Sequence, residues 1–228
     1  MTLPKIIAHR GASGREFENS RAAFARAVEL RADGVELDVH STEDGIILVH
    51  HDAELAGIGP IGHLNYTQVQ AFRLPNGETV PTLPEVLEIL GSLAVYVEVK
   101  TLAPAFDNAL LSVLEQGPAP GQYAVHSFDH RIIVRLGTER PSLSRGILLA
   151  SYPLDTLGLI NAAGADTLWQ DQTLIDAAMV NVVHQAGKRI IAWTVNQDAE
   201  AIRLAGLGVD GLCGNYPDRL RSTLEGTS

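Results

Sequence analysis

The stretch Val35-Glu36-Leu37-Asp38-Val39 places two acidic side chains inside an otherwise apolar run. Side chains on a strand alternate between its two faces, so the apolar residues share one face and Glu36 and Asp38 share the other. Two ionised carboxylates held this close repel each other and lose hydration, which is costly unless a cation or a shared proton compensates. The stretch therefore predicts a strand with an apolar outer face and an inner face that carries chemistry.

The stretch Val95-Tyr96-Val97-Glu98-Val99-Lys100 repeats this alternation later in the chain. Its acid, Glu98, shares a face with Lys100, opposite the valines. If the two strands are neighbours, Glu36, Asp38 and Glu98 form an oxygen-rich cluster suited to one divalent cation, Mg²⁺ or Ca²⁺. The alternative is that these acids pair with Lys and Arg in a structural layer of ion pairs.

Short apolar runs alternate with amphipathic stretches along the whole chain. The strand-like runs are Lys5–His9, Val35–Val39, Ile46–His50, Ala94–Val99, Tyr123–Ser127, Gly146–Ala150, Asp166–Trp169, Arg189–Val195 and Val209–Cys213. Strands that alternate with helices pair in parallel through right-handed crossovers. Eight such units predict an α/β fold, a parallel eight-stranded (β/α)₈ TIM barrel, with a doubly wound open sheet as the alternative. The ninth run, Ile46–His50, is expected to return antiparallel on the second strand as a small hairpin.

One domain is expected over residues 1–228, since no Pro/Ser linker or change of composition divides the chain. The segments ADGVEL, GADTLW and GVDGLC each carry Gly and Asp at the step from helix to strand, which supports a repeated unit. Residues 53–80 fit the strand–helix pattern least, and we expect them to form a loop or small insertion over the barrel mouth. Cys213 lies in an apolar run and is expected to be a core residue.

Composition excludes several classes of partner. The formal net charge of −10 argues against binding to nucleic acid or to an anionic membrane surface, because either needs a basic patch. No segment approaches the run of about 20 apolar residues that a membrane-spanning helix needs, so no integral membrane association is expected. The first residues contain too short an apolar stretch for a signal peptide. The chain is therefore expected to be cytoplasmic.

Two histidines follow strand-like runs, next to other polar residues. His9 ends the first run and precedes Arg10-Gly11, while His51 ends the run from Ile46 and precedes Asp52. The carboxyl ends of barrel strands are where catalytic groups lie. His9 and His51 could supply the general base and general acid of phosphodiester cleavage near neutral pH. The planar guanidinium of Arg10 could bind the phosphate.

The other histidines are not predicted to be catalytic. His40 continues the inner face of the acidic strand and is a candidate supporting group, whereas His50 has the opposite parity and is expected to be packed or solvated. The remaining four, also expected to be packed or solvated, are His63, His126, His130 and His184. The sequence contains no P-loop, Rossmann glycine pattern, G-x-S-x-G elbow, H-E-x-x-H or CxxC motif.

Nine short motifs together resemble a known family. In chain order they are His9-Arg10-Gly11, Glu18-Asn19-Ser20, Glu36-Leu37-Asp38-Val39, His51-Asp52, the stretch 81–87, Glu98-Val99-Lys100, Ser127-Phe128, Trp193-Thr194-Val195-Asn196 and Gly208-Val209-Asp210-Gly211. The order and the near-complete span of the chain are similar to those of the glycerophosphodiester phosphodiesterases.

The resemblance implies metal-dependent hydrolysis of a small-molecule glycerophosphodiester to sn-glycerol 3-phosphate and an alcohol. It implies that the glycerol 2-hydroxyl is the first nucleophile and that a cyclic phosphate is the intermediate. The implied site residues are Glu36, Asp38 and Glu98 for the metal; His9 and His51 for acid–base catalysis; Arg10 and Lys100 for the phosphate; Glu18 and Asn19 for the first loop; and Phe128 and Trp193 for the glycerol carbons.

Two loops depart from the family pattern. The segment AELAGIGPIGHL follows Asp52 where the family usually has a Thr-rich stretch with an Arg, and Gly214-Asn215 replaces a common Thr-Asp pair. Both loops lie where the leaving alcohol could be contacted. One alternative function is a lysophospholipase D-type phosphodiesterase, which needs an apolar mouth. Another is a catalytically silent barrel that binds phosphodiesters, although such a protein has no need to keep both His9 and His51.

Overall fold

Eight strands pair in parallel and close on themselves in the computed structural model, which describes residues 3–226. In chain order the strands are β1 (Lys5–His9), β2 (Gly34–Ser41), β3 (Ile47–Val49), β4 (Glu54–Leu55), β5 (Gly59–Pro60), β6 (Ala94–Thr101), β7 (Tyr123–Ser127), β8 (Ser144–Leu149), β9 (Thr167–Asp171), β10 (Arg189–Trp193) and β11 (Gly211–Gly214). Around the barrel the order is β1, β2, β6, β7, β8, β9, β10 and β11, and β11 pairs with β1. The predicted TIM barrel is confirmed.

Helices connect the barrel strands. They are α1 (Arg21–Glu29), α2 (Tyr66–Val69), α3 (Leu83–Leu90), α4 (Asp107–Gln116), α5 (His130–Glu139), α6 (Thr156–Ala162), α7 (Ala177–Gln185), α8 (Asp198–Leu207) and α9 (Pro217–Glu225). Side-chain caps define where several begin: Ser20 accepts a hydrogen bond from the amide of Ala23, and Asp176 accepts one from the amide of Met179. None of the helices within residues 3–226 is long and apolar enough to span a membrane.

The repeated Gly and Asp at the helix-to-strand steps tie neighbouring strands together. The carboxylate of Asp33 accepts a hydrogen bond of 2.7 Å from the amide of Ile6. Asp166 accepts one of 3.4 Å from the amide of Arg145, and Asp210 accepts one of 2.8 Å from that of Ile190. Each of these aspartates satisfies a backbone donor at the start of an adjacent strand.

The outer and inner faces of the strands differ as the alternation predicts. The apolar residues of 35–39 and 95–99 pack in the core between the barrel and its helices. A smaller cluster lies inside the barrel and contains Ile7, Tyr96, Leu148, Trp169, Ile191 and Cys213. Gly146 makes room for one of these rings, since a Cβ there would lie 2.8 Å from the indole of Trp169. Tyr96 and Ile7 precede Glu98 and His9 on their strands by two residues, so these two apolar side chains lie beneath the polar ones.

The hairpin after the second barrel strand is also confirmed, because β3 pairs antiparallel with β2. Residues 53–80 form the two-stranded pair β4–β5, a 3₁₀ turn at Ile61–His63, and α2. Their apolar side chains pack against Leu48 of β3 and form a separate cluster with it, which contains Leu55, Ile61, Leu64, Val69, Leu74 and Val80. This cluster stabilises a small unit beside the strand that leads to His51.

Candidate active site

A cavity of about 150 Å³ opens at the carboxyl ends of the barrel strands. Its polar lining comprises His9, Arg10, Glu36, His51, Glu98, Lys100 and His126, and its aromatic lining includes Phe128, Trp169 and Trp193. The remaining predicted residues do not line the cavity but support residues that do. Glu18 contacts Arg10, Asp38 contacts Lys100, and Asn19 donates a hydrogen bond to Asp38. The structure thus brings together residues from β1, β2, β6, β7 and β10.

Three carboxylates are buried at the base of the cavity. Glu36 is 2% exposed, Asp38 is 0% exposed and Glu98 is 8% exposed. Burial, followed by the charges of Asp38 and Glu98, raises the pKa of Glu36 well above its usual range. Burial, followed by the charge of Asp38, raises the pKa of Glu98 to about 7. Without additional positive charge, Glu36 and Glu98 therefore stay protonated at a pH at which exposed carboxyl groups have lost their protons.

Asp38 differs from its two neighbours because cations surround it. Lys100 Nζ lies 3.3 Å from Oδ1 of Asp38 and 2.8 Å from Oε1 of Glu98. Arg10 Nε lies 3.1 Å from Oδ2 of Asp38, and Asn19 Nδ2 donates a hydrogen bond of 2.8 Å to the same oxygen. Although burial acts to raise the pKa of Asp38, Arg10 and Lys100 hold it below its ordinary value. Asp38 is therefore ionised and anchors both cations.

The loop after β1 aims Arg10 into the cavity. Arg10 and Asn19 have φ of 54° and 53°, in the left-handed region that non-glycine residues rarely adopt. The amide of Asn19 donates to the Arg10 carbonyl, and the amide of Arg10 donates to Oε2 of Glu36 at 3.1 Å. Nη1 of Arg10 donates to both carboxylate oxygens of Glu18, at 2.9 and 3.0 Å. Gly11 is required at the turn, since a Cβ there would lie 2.7 Å from the Ala23 backbone.

His9 presents one ring nitrogen to the cavity. Its Nδ1 lies 2.8 Å from Oδ1 of Asn215, and the backbone amide of Asn215 donates a 2.8 Å hydrogen bond to Oδ1 of Asn196. Burial, followed by the charge of Arg10, lowers the pKa of His9 to about 4. An amide oxygen can only accept, so this contact assigns the proton to Nδ1 of the neutral ring. Nε2, which lies 4.0 Å from Oε2 of Glu36, then carries the lone pair.

His51 is held through its backbone as well as its side chain. Its Nδ1 donates to Oδ1 of Asp52 at 2.8 Å. Its carbonyl accepts a 3.1 Å hydrogen bond from Nε2 of His40, whose Nδ1 accepts one of 2.8 Å from the Thr101 hydroxyl. His40 is buried, and burial lowers its pKa. His40 therefore fixes the position of His51, in agreement with a supporting role.

His126 is a site residue that the sequence analysis missed. It pairs in register with Glu98, is 1% exposed, and stacks on Trp169 with ring centroids 4.1 Å apart. Burial lowers the pKa of His126 to about 3, so the ring is neutral. The prediction of a packed histidine did not anticipate that its Nε2 faces Glu36 at 4.0 Å. The alternation of residues along 123–127 could have identified His126, because Val125 faces outward and the next residue, His126, therefore lies on the inner face.

One wall of the cavity is aromatic. The rings of Phe128 and Trp193 meet edge to face, with centroids 5.5 Å apart. Phe128 is 46% exposed, so its ring is available to a ligand at the mouth. This wall can contact the carbon atoms of a ligand, while charged residues elsewhere in the lining can contact its polar groups.

The comparisons with known proteins agree with this geometry. The model of the Glycerophosphoryl diester phosphodiesterase family matches residues 9–219. A glycerophosphodiester phosphodiesterase of Caldanaerobacter subterraneus is 29% identical over 231 residues, covering 94% of this chain and 95% of that protein. A probable glycerophosphodiester phosphodiesterase 2 of Mycobacterium tuberculosis is 31% identical, covering 96% of this chain and 89% of that one. The structure of an Oleispira antarctica phosphodiesterase, in complex with the product sn-glycerol-3-phosphate, superimposes with a TM-score of 0.91 at 26% identity, covering 98% of this chain and 97% of that one.

Proposed function

The chain belongs to the glycerophosphoryl diester phosphodiesterase family and is a phosphoric diester hydrolase, and we propose that it converts small glycerophosphodiesters to sn-glycerol 3-phosphate and an alcohol. The observation that carries the proposal is the meeting, in one cavity, of His9 and His51, the cations Arg10 and Lys100, and a buried carboxylate cluster. Acid–base groups and cations are the two requirements for cleaving a phosphodiester with an alkoxide leaving group.

Arg10 and Lys100 are proposed to bind the phosphate. Both line the cavity, and both are half-buried beside Asp38, which orients them. The guanidinium offers several donors in one plane, which matches phosphate oxygens, whereas the ammonium is a compact charge. The edge-to-face pair of Phe128 and Trp193 is proposed to contact the glycerol carbons.

We propose that the site holds one divalent cation, Mg²⁺ or Ca²⁺, through the oxygens of Glu36, Asp38 and Glu98. The residues fit an ion: the cluster is buried, and Oδ1 of Asp38 has no hydrogen-bond partner among residues 3–226. Burial, followed by the charges of neighbouring carboxylates, raises the pKa of Glu36 and Glu98, and a bound cation would favour their ionised forms. When bound, such an ion supplies Lewis-acid polarisation of a phosphoryl oxygen.

The two histidines are proposed to divide the proton transfers. His9 is the base, because Asn215 accepts from Nδ1 and leaves the lone pair on Nε2, facing the cavity. It takes the proton of the glycerol 2-hydroxyl, whose oxygen attacks phosphorus. His51 is proposed as the acid: its Nδ1 donates to the carboxylate of Asp52, which orients the ring, and its other nitrogen gives a proton to the leaving alkoxide. Water then opens the cyclic phosphate with the two roles exchanged.

The substrate is proposed to be a free diester in the cytoplasm. A net charge of −10 opposes attachment to an anionic membrane surface. The aromatic wall is a single edge-to-face pair, which is enough for glycerol carbons.

A hydrolysis screen tests the proposal. Chelator-treated protein is assayed on glycerophosphocholine, glycerophosphoethanolamine, glycerophosphoglycerol and a lysophospholipid, with and without added Mg²⁺ or Ca²⁺. We expect turnover of at least one glycerophosphodiester, only with the added ion. Glu36→Gln should be inactive but folded, whereas Glu88→Gln, at an exposed position of α3, should match the wild type.

Two results would contradict the proposal. Faster release of alcohol from the lysophospholipid than from any glycerophosphodiester would support a lysophospholipase D. Tight binding of glycerophosphodiesters without hydrolysis, under all ion conditions, would support a silent binding barrel.

A further inference from the structure

We propose that His126 supplies a nitrogen ligand to the metal site, so that the site binds Mn²⁺ and Co²⁺ more tightly than Ca²⁺ and Mg²⁺. The inference rests on the divalent-cation site of the proposed function. It adds a ligand that the sequence pattern of acids did not predict, and it changes the class of ion that the site selects.

The ligand atoms lie at distances suited to one ion. Within residues 3–226, Glu36, Glu98 and His126 are the group whose ligand atoms all lie within 4.8 Å of one another. Nε2 of His126 lies 4.0 Å from Oε1 of Glu36. Two ligands that are each about 2.0–2.2 Å from one ion can span this separation. Glu98 joins them because it pairs in register with His126 on the adjacent strand.

His126 has no other polar function in the described part of the chain. A buried imidazole normally makes hydrogen bonds, because leaving its nitrogens unpaired is costly. Nδ1 of His126 has no hydrogen-bond partner, and Nε2 lies beyond hydrogen-bond distance of Glu36. The ring stacks on Trp169 with an angle of 6° between the planes, and this contact holds Nε2 toward the carboxylates. The structure therefore orients a buried nitrogen donor at an acidic cluster.

The other side chains near the cluster leave the nitrogen position to His126. Oδ2 of Asp38 faces Arg10 and Asn19, so Asp38 can offer the ion only its other oxygen, Oδ1. His9 approaches Oε2 of Glu36 at 4.0 Å but is not part of the group that includes Glu98. A nitrogen bound to the ion is thus expected to belong to His126.

A nitrogen ligand changes which ions bind well. Ca²⁺ and Mg²⁺ prefer oxygen ligands, whereas a neutral imidazole also suits first-row transition ions. The carboxylates and one imidazole form a mixed set of oxygen and nitrogen ligands, which accommodates Mn²⁺ and Co²⁺. A site built only from carboxylates would not favour these ions to the same degree.

Calorimetric titration of chelator-treated protein with each ion alone gives the first test. We expect Mn²⁺ and Co²⁺ to bind at least about tenfold more tightly than Ca²⁺ and Mg²⁺. His126→Gln should weaken Mn²⁺ binding by about 10- to 100-fold. The same variant should change Ca²⁺ affinity by less than about threefold, since Ca²⁺ gains little from nitrogen. His63→Gln, at an exposed position outside the cavity, is the matched control and should bind all four ions like the wild type.

Pulsed electron paramagnetic resonance of the Mn²⁺-loaded protein gives a second readout. A coordinated imidazole should produce nitrogen-14 modulation that changes to a nitrogen-15 pattern when the histidines are labelled. The modulation should disappear in His126→Gln and persist in His9→Gln. The labelled wild-type spectrum requires no substitution, so the test does not depend on the folding of a variant.

The outcomes separate this inference from the proposed function. Mn²⁺ binding without nitrogen modulation, or with a Mn²⁺-to-Ca²⁺ affinity ratio that His126→Gln leaves unchanged, overturns the role of His126 and leaves the carboxylate site intact. Binding of none of the four ions overturns both the role of His126 and the metal site. Hydrolysis that survives complete chelation overturns the metal dependence of the reaction.

Discussion

Glu98→Gln in metal-free protein should remove a large part of the pH dependence of stability. In the folded chain the pKa of Glu98 is raised from 4.5 to about 7, first by burial and then by the charge of Asp38. The folded state therefore holds a proton that the unfolded state releases. The stability from this proton is fully present below about pH 4.5 and is lost as the pH rises through about 7.

The expected magnitude follows from the two pKa values. The difference between 4.5 and about 7 corresponds to about 3 kcal/mol in the free energy of unfolding. For a chain of this length, that is roughly 6–12 °C in Tm. Glu98 is 8% exposed, so solvent screens this effect only slightly. Glu36, whose pKa is also raised, acts in the same direction, and Asp38, whose pKa is lowered, acts in the opposite one. Comparison with the variant measures Glu98 together with its effect on Glu36, whose pKa the charge of Glu98 helps to raise.

Urea unfolding in chelator, followed by circular dichroism, measures the effect between about pH 5 and pH 8. Relative to Glu98→Gln, the wild type should lose roughly 2–3 kcal/mol of unfolding free energy across this range, because part of the effect is already lost at pH 5. Glu88→Gln, the same chemical change at an exposed position of α3, should follow the wild type. A divalent ion that binds the folded state should reduce the wild-type loss. A difference between wild type and Glu98→Gln that is constant with pH would refute the reasoning.

Three further predictions concern the reaction. His9→Ala and His51→Ala should each lower kcat on an alkyl diester by about 10²–10⁴-fold, and a glycerophosphoryl nitrophenyl ester should rescue His51→Ala alone, because nitrophenolate leaves without an acid. Rescue of His9→Ala instead would reverse the assignment. A diester with a methylated glycerol 2-hydroxyl should react very slowly, since its internal nucleophile is blocked; initial rates equal to those of the free substrate would exclude this route. His40→Leu should lower kcat by about 10- to 100-fold with little change in KM, and His40→Gln should restore part of it by donating to the His51 carbonyl; equal losses in both would contradict a positioning role.

The fold could be predicted because apolar and polar residues alternate along the strands that carry the site. The carboxylates of Glu36, Asp38 and Glu98 cannot be buried against the apolar faces of the helices, so the apolar residues that alternate with them face the helices instead. This alternation determines which face of each strand forms the barrel interior. One strand begins later than predicted. The run predicted from Val209 begins at Gly211 in the structure, and the carboxylate of Asp210, just before it, accepts a hydrogen bond from the amide of Ile190.

The details of the site could be predicted less well, because they depend on contacts between distant segments. The partner of His9 is Asn215, near the other end of the chain, and no local pattern connects them. The position of His126 depends on the register of β7 against β6 and on the indole of Trp169. The pairing of Asp38 with Arg10 and Lys100 depends on the left-handed loop after β1.

The charges of the buried cluster match a diester better than a monoester. With Glu36, Asp38 and Glu98 ionised, and with Arg10 and Lys100 beside them, the set carries a net charge of −1; Glu18, which pairs with Arg10 from the solvent side and is 39% exposed, is not counted in it. A divalent ion changes this value to +1, and the single negative charge of a phosphodiester then neutralises the site. The monoester product carries close to two negative charges above its second pKa of about 6, so the site with product bound has a net negative charge. The same balance that attracts the diester therefore weakens the hold on the product, which favours turnover.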